Sequence, residues 1–228
     1  MKYRILLCDI DDTLFDFHRG EAIALENTFR AFDIPVTPQT WQAYHAANRE
    51  QWRKLERGET TPQRLRVDRF AQFLLAMGLE RDANAMSDVA IENLGRQRWP
   101  LPYCEELCRR VSARMPIWLV TNGIARVQHS RMDHCFLSPY LSGMVISEEL
   151  GVSKPHPQMV WEALARAGVE DRECAVVLGD SLTSDIAAAN NAGVDSILFT
   201  NEKDIPQGHS ATYAVKTLKE ACEIILSA

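Results

Sequence analysis

The chain has 228 residues, 46% of them hydrophobic, with six cysteines and a formal net charge of −6. That is enough apolar content to close a core without disulfides or a structural metal. The acidic balance argues against a general nucleic-acid binder, which needs a basic footprint. No apolar stretch reaches the ~20 residues of a membrane span. The opening MKYRILLCDIDD has too short an apolar run for a signal peptide and ends in acids. With no CxxC pair and no paired Cys/His zinc pattern, a reducing, cytoplasmic setting is expected.

In chain order, Tyr3 to Cys8 is a short apolar run that stops at Asp9 and predicts a buried parallel strand. From about residue 17 to 100 no convincing strand follows. Ala22, Leu25, Phe29 and Phe32 form one amphipathic stripe. Thr37-Pro38 and Thr61-Pro62 each place an N-cap before a proline at the first helical position. Gly78 is a helix stop and Asp82 a further cap. The stretch predicts about four helices, with Trp41, Phe70 and Phe73 in their core, and Trp99-Pro100-Leu101-Pro102 as the return linker. Beyond it, strand-like runs recur at 116–121, 143–146, 174–179, 195–199 and 213–215, separated by helical patterns such as 157–167 and 185–192. Strand and helix in alternation predict an α/β fold, a doubly wound parallel sheet. The expected division is a catalytic core of 1–16 and 101–228, with an inserted all-helical domain over 17–100.

Ligands of such sheets gather at the carboxyl ends of the strands. Asp9, Thr121 and Asp180 all stand there. Asp9-Ile-Asp11-Asp12-Thr13 crowds three carboxylates into four positions, and a divalent cation would offset their repulsion. If the first and fourth strand runs that end in aspartate lie side by side, Asp9 and Asp180 form a split metal site. Thr121-Asn122-Gly123 offers a hydroxyl and free N–H groups at a strand-to-helix turn, which suit phosphate oxygens. Lys154 in Gly151-Val-Ser-Lys-Pro155 is kept from helical geometry by its proline and can neutralise a phosphoryl group. Arg126 and Arg131 read as a solvated helix face.

Taken singly, each of these has a bland alternative: an acidic loop for Asp9 and Asp11, a helix cap for Asp180 or Asp185, a surface lysine for Lys154. Their order changes the weighing. DxDxT at Asp9 to Thr13, the apolar strand ending in Thr121, the lysine at Lys154 and GDxxxxD from Gly179 to Asp185 together resemble the haloacid dehalogenase superfamily of phosphotransferases. The helical insertion resembles that family's type-1 cap. The segments DIDDTLFDF, LVTNG, ISEELGVSKP and GDSLTSDI further resemble its noncanonical pyrimidine nucleotidase branch.

The resemblance implies a Mg²⁺-dependent phosphomonoesterase acting on a small phosphorylated metabolite, first of all a nucleoside 5'-monophosphate. It implies that Asp9 is the nucleophile and Asp11 the general acid and base. Thr121, Asn122 and Lys154 would hold the phosphoryl group. The metal would be held by Asp9, Asp11 through its backbone carbonyl and Asp180, with Asp185 ordering the groups around it. Asp11 argues against dehalogenase chemistry, where no proton need reach a leaving halide. Lys54, the only lysine between residues 17 and 100, lies in a setting that looks solvated, which argues against imine chemistry. For the leaving group, Phe15 and Phe17 beside the nucleophile loop, and Tyr44, Asn48 and Trp52 at helical-turn spacing, are the candidates for stacking on and hydrogen-bonding a base. The alternatives are a phosphatase for a sugar phosphate or phosphoglycolate, a phosphomutase, or a binding protein that kept the fold. The sequence leaves the oligomeric state open.

Overall fold

The computed structural model describes residues 2–57, 59–133 and 135–227. Among these residues, six strands form one parallel sheet: β1 Ile5–Cys8, β2 Ile117–Thr121, β3 Gly143–Ile146, β4 Ala175–Gly179, β5 Asp195–Phe199 and β6 Tyr213–Val215. Their order across the sheet is β3-β2-β1-β4-β5-β6. The chain runs outward from β1 through β2 to β3, then returns to β4 on the other side of β1. That reversal makes the edge between β1 and β4 the topological switch point. The register pairs Cys8 with Leu119 on one side and Leu178 on the other, so the carboxyl ends of β2, β1 and β4 lie side by side.

Both faces of the sheet are covered, which is why β1 reads as an unbroken apolar run. Leu6 and Cys8 point into a cluster with Val176, Leu178, Ile197 and Phe199. The helices α5 (Cys104–Ser112) and α10 (Leu218–Ser227) add Leu107, Val111, Ala221 and Ile225 to it. Ile5 and Leu7 point the other way, toward α8 (Gln158–Arg166) and α9 (Ala187–Ala192) through Met159, Val160, Ala163, Ala188 and Ala189. The period of two along each strand thus feeds two separate cores. All six cysteines are buried and free.

The chain divides into two compact units, residues 1–18 with 98–228, and residues 19–97. The second is built on α1 (Phe17–Ala31), α2 (Pro38–Glu56), α3 (Pro62–Met77) and α4 (Ala83–Gly95). Its helix ends carry the expected chemistry. The Thr61 hydroxyl accepts from Arg64 N–H at 3.3 Å, Gly78 closes α3 at φ 65°, and Asp82 accepts from Asn84 N–H at 2.8 Å. Its core gathers Leu25, Phe29, Tyr44, Phe70, Phe73 and Met86. Among the described residues, no helix is long and apolar enough to cross a membrane.

Candidate active site

β1 ends inside the first unit, and the chain turns at once. Leu14 and Phe15 N–H both donate to the Ile10 carbonyl, at 2.9 and 3.0 Å, while Asp12 takes the left-handed backbone at φ 58°. The returning chain is tied to the linker by Leu101 N–H donating to the Leu14 carbonyl at 2.9 Å. This tight turn leaves Asp9 at the sheet edge, 7% exposed, with Thr13 beneath it donating to Asp9 Oδ2 at 3.3 Å.

Lys154 reaches the same point from the β3 side. Its ammonium donates to Asp9 Oδ1 at 2.5 Å and to the Val120 carbonyl at 2.7 Å, and lies 2.6 Å from Asp185 Oδ1. Asn122 holds the lysine's backbone in a two-way clasp: its Nδ2 donates to the Lys154 carbonyl at 2.9 Å, and Lys154 N–H donates to its Oδ1 at 2.8 Å. The Asn122 side chain therefore positions Lys154, a role that the sequence pattern did not predict.

The second acidic pair comes from β4. Asp185 is expected at the start of a helix, but helical winding begins earlier, with a single π turn over Leu182–Ile186, and α9 follows it. The wider turn carries Asp185 back over Gly179, where its Oδ2 accepts from Ser181 N–H at 3.0 Å. A Cβ on Gly179 would fall 2.4 Å from the Asp185 Cβ, so only glycine leaves room. Asp9, Asp180 and Asp185 each present an oxygen within 4.8 Å of the others.

The electrostatics match a site built around a cation. Burial pushes the Asp9 carboxyl above its ordinary value, with Asp185 and Asp11 adding to the shift and Lys154 opposing it. Asp180 stands exposed at the rim, yet desolvation by the surrounding protein, and then the charges of Asp185 and Asp12, push it up to about 6. Lys154 is opposed by burial, but Asp9 and Asp185 together hold it above its usual range. Three carboxylates with one ammonium leave an excess of negative charge, and hard oxygen donors in this number suit a divalent cation of the magnesium type. The Asp11 carboxylate stands outside that set, held instead by α6 (Ala125–Met132): Arg131 pairs with its Oδ1, and Gln128 Nε2 donates to its Oδ2 at 3.0 Å.

Three expectations need correcting. Arg131 is not on a solvated face: it is 2% exposed, its Cζ lies 5.2 Å from the Phe15 ring centroid, and it is an ion-pair partner of Asp11. Phe15 is fully buried between that guanidinium and Phe136, so it packs the site and has no free face for a base. Tyr44, within the helical unit, is likewise fully buried, its ring against Phe29, Phe70 and Phe73. Farther along α2, Asn48 is half-buried and Trp52 is 49% exposed. On that helix the Asn48 Oδ1 and Gln51 Oε1 are buried without a hydrogen-bond partner.

The chain is similar to known hydrolases along nearly its whole length. The profile of the haloacid dehalogenase-like hydrolases matches residues 3–193. The pyrimidine 5'-nucleotidase YjjG of Escherichia coli is 29% identical over 226 residues, covering 99% of both chains. The pyrimidine 5'-nucleotidase PynA of Streptococcus pneumoniae is 30% identical over 200 residues, covering 87% of this chain and 84% of its own. Among solved structures, the HAD-hydrolase YfnB of Bacillus subtilis bound to magnesium superposes with a TM-score of 0.87 at 28% identity, covering 99% of both chains.

Proposed function

This chain belongs to the haloacid dehalogenase-like hydrolases and is a phosphoric monoester hydrolase, and we propose that it cleaves pyrimidine nucleoside 5'-monophosphates through an aspartyl-phosphate on Asp9. The observation that carries the proposal is the placement of Asp9 at the end of β1, buried, in contact with Lys154 and grouped with Asp180 and Asp185.

Asp9, Asp180 and Asp185 would hold the magnesium ion, with the Asp11 backbone carbonyl. Bound there, the ion supplies positive charge to the phosphoryl oxygens. The chain's own residues do the rest. An Asp9 carboxylate oxygen attacks phosphorus as the bond to the nucleoside oxygen breaks. That oxygen takes the proton of the Asp11 carboxyl. Water then gives a proton back to Asp11 while attacking phosphorus, and the aspartyl-phosphate bond breaks. Lys154, the Thr121 hydroxyl and Asn122 N–H bind phosphoryl oxygens, and Asn122 also fixes the lysine.

The pyrimidine assignment rests on the two nucleotidase relatives. Phosphate release from a panel of monophosphates, with and without Mg²⁺, tests it. The panel comprises UMP, dUMP, dTMP, purine nucleotides, phosphoglycolate and sugar phosphates. Magnesium-dependent release that peaks on pyrimidine nucleotides is the expected result. A peak elsewhere discards the nucleotide assignment and keeps the chemistry, and no release from any compound by folded protein discards both.

A further inference from the structure

Both carboxylate oxygens of Asp11 are held by one short helix. Gln128 and Arg131 lie one turn apart on the buried face of α6, at 1% and 2% exposure. Arg131 Nη1 donates to Asp11 Oδ1 and to Gln128 Oε1, the latter at 3.2 Å. Gln128 Nε2 donates to Asp11 Oδ2 and to Thr121 Oγ1, both at 3.0 Å. The guanidinium face is covered by Phe15. One amide thus ties Asp11 to the hydroxyl that ends β2, and one guanidinium fixes both the amide and the acid.

The neighbouring backbone is shaped for this. A Cβ on Gly123 would fall 2.6 Å from Gln128 Nε2 and 2.9 Å from its Cγ. The glycine after Thr121-Asn122 is therefore where Gln128 passes, a reason separate from any role of the turn in binding phosphate. Burying a guanidinium is expensive unless its partners are well placed. Here a partner is the side chain of an active-site residue, 120 positions away in sequence.

We propose that Gln128 and Arg131 are positioning residues that set the orientation of the Asp11 carboxylate for proton transfer to the leaving oxygen. The proposal rests on the reading of Asp11 as general acid. It makes the unit Thr121, Gly123, Gln128 and Arg131 a single device that aligns the proton donor with the phosphate site. Misplacing a reacting group by about 1 Å costs on the order of 10²-fold in rate.

The test separates orientation of the acid from general damage by varying the leaving group. p-Nitrophenolate departs without a proton, whereas the oxygen of UMP needs one. Pre-steady-state release of the leaving group is measured for both substrates in the wild type, Asp11→Asn, Arg131→Met, Arg131→Lys and Gln128→Leu. We expect Arg131→Met and Gln128→Leu to lower the UMP rate relative to the p-nitrophenyl phosphate rate by about tenfold or more, with Arg131→Lys recovering part of the ratio. The Gln128→Leu variant answers the question if Arg131→Met does not fold. Should Asp11→Asn shift the ratio while Arg131→Met and Gln128→Leu lower both substrates equally, the positioning role is overturned and the acid role stands. If Asp11→Asn itself leaves the ratio unchanged, the acid reading falls and this proposal falls with it.

Discussion

Replacing Lys154 by Met is the most informative perturbation of the core, because it keeps the side-chain bulk and removes one charge. The side chains of Lys154, Asp9 and Asp185 are 3%, 9% and 2% exposed. Removing one member of a buried ionic group leaves the others uncompensated, at a loss of about 3–5 kcal/mol. For a chain of this size, each kcal/mol moves the unfolding midpoint by roughly 2–4 °C, so a fall of roughly 6–20 °C is expected. The assay is thermal unfolding in EDTA at pH 7.5. The sign of the pH dependence is fixed by the same contacts. The lysine's folded value is raised above its ordinary 10.5, so its contribution is complete below that value and lost only as pH rises through the folded value. Across pH 5–9 the wild-type lysine stays charged, and the variant should regain stability toward acid as its unpaired carboxylates protonate. Magnesium should narrow the gap by supplying charge to the same carboxylates. A loss below about 1 kcal/mol in EDTA, independent of pH, would refute the picture of Lys154 as the counter-charge of a buried acidic pair.

Asp9→Asn should abolish turnover and leave no covalent phosphoryl group detectable by intact-protein mass spectrometry, while Asp11→Asn should leave a slow trace; equal residual activity in the two would argue against separate roles. Gly179→Ala should force Asp185 away from Lys154, because the added Cβ meets its Cγ at 2.3 Å, and calorimetry should show magnesium binding weakened by about 10–100-fold; unchanged affinity would remove Asp185 from the metal site. Asp180 is raised from 3.8 to about 6, so the folded state binds its proton more tightly than the unfolded chain. In EDTA its contribution to stability should therefore fall as pH rises from about 4 to above 6, and Asp180→Asn should remove that component. Parallel stability curves for the two proteins across that window would contradict the shift.

Much of this architecture is a direct consequence of local pattern. Ile5–Cys8 and Ala175–Gly179 are apolar on both faces because each must bury both, and an aspartate at the end of such a run has nowhere to go but the sheet edge. That is why Asp9, Thr121 and Asp180 could be placed without coordinates, and why Thr61, Gly78 and Asp82 mark helix ends. What the residues of one segment do to another was decided only in three dimensions. Arg131 lies in an eight-residue helix rich in polar and basic residues, and nothing local distinguishes it from Arg126, which is exposed. Its burial is offset by Asp11, a partner that arrives from the turn after β1, 120 positions away in sequence. Phe15 and Tyr44 look like surfaces for a base because aromatic character is visible in sequence, whereas the face a ring presents depends on neighbours such as Phe136 or Phe73. The π turn that brings Asp185 over Gly179 is likewise a tertiary result, since it serves a contact with Lys154, which arrives from the β3 side of the sheet. Sequence determines which groups stand at the strand ends, because burial acts residue by residue. Tertiary structure decides which charges meet, because a buried charge is stable only where its partner has been brought to it.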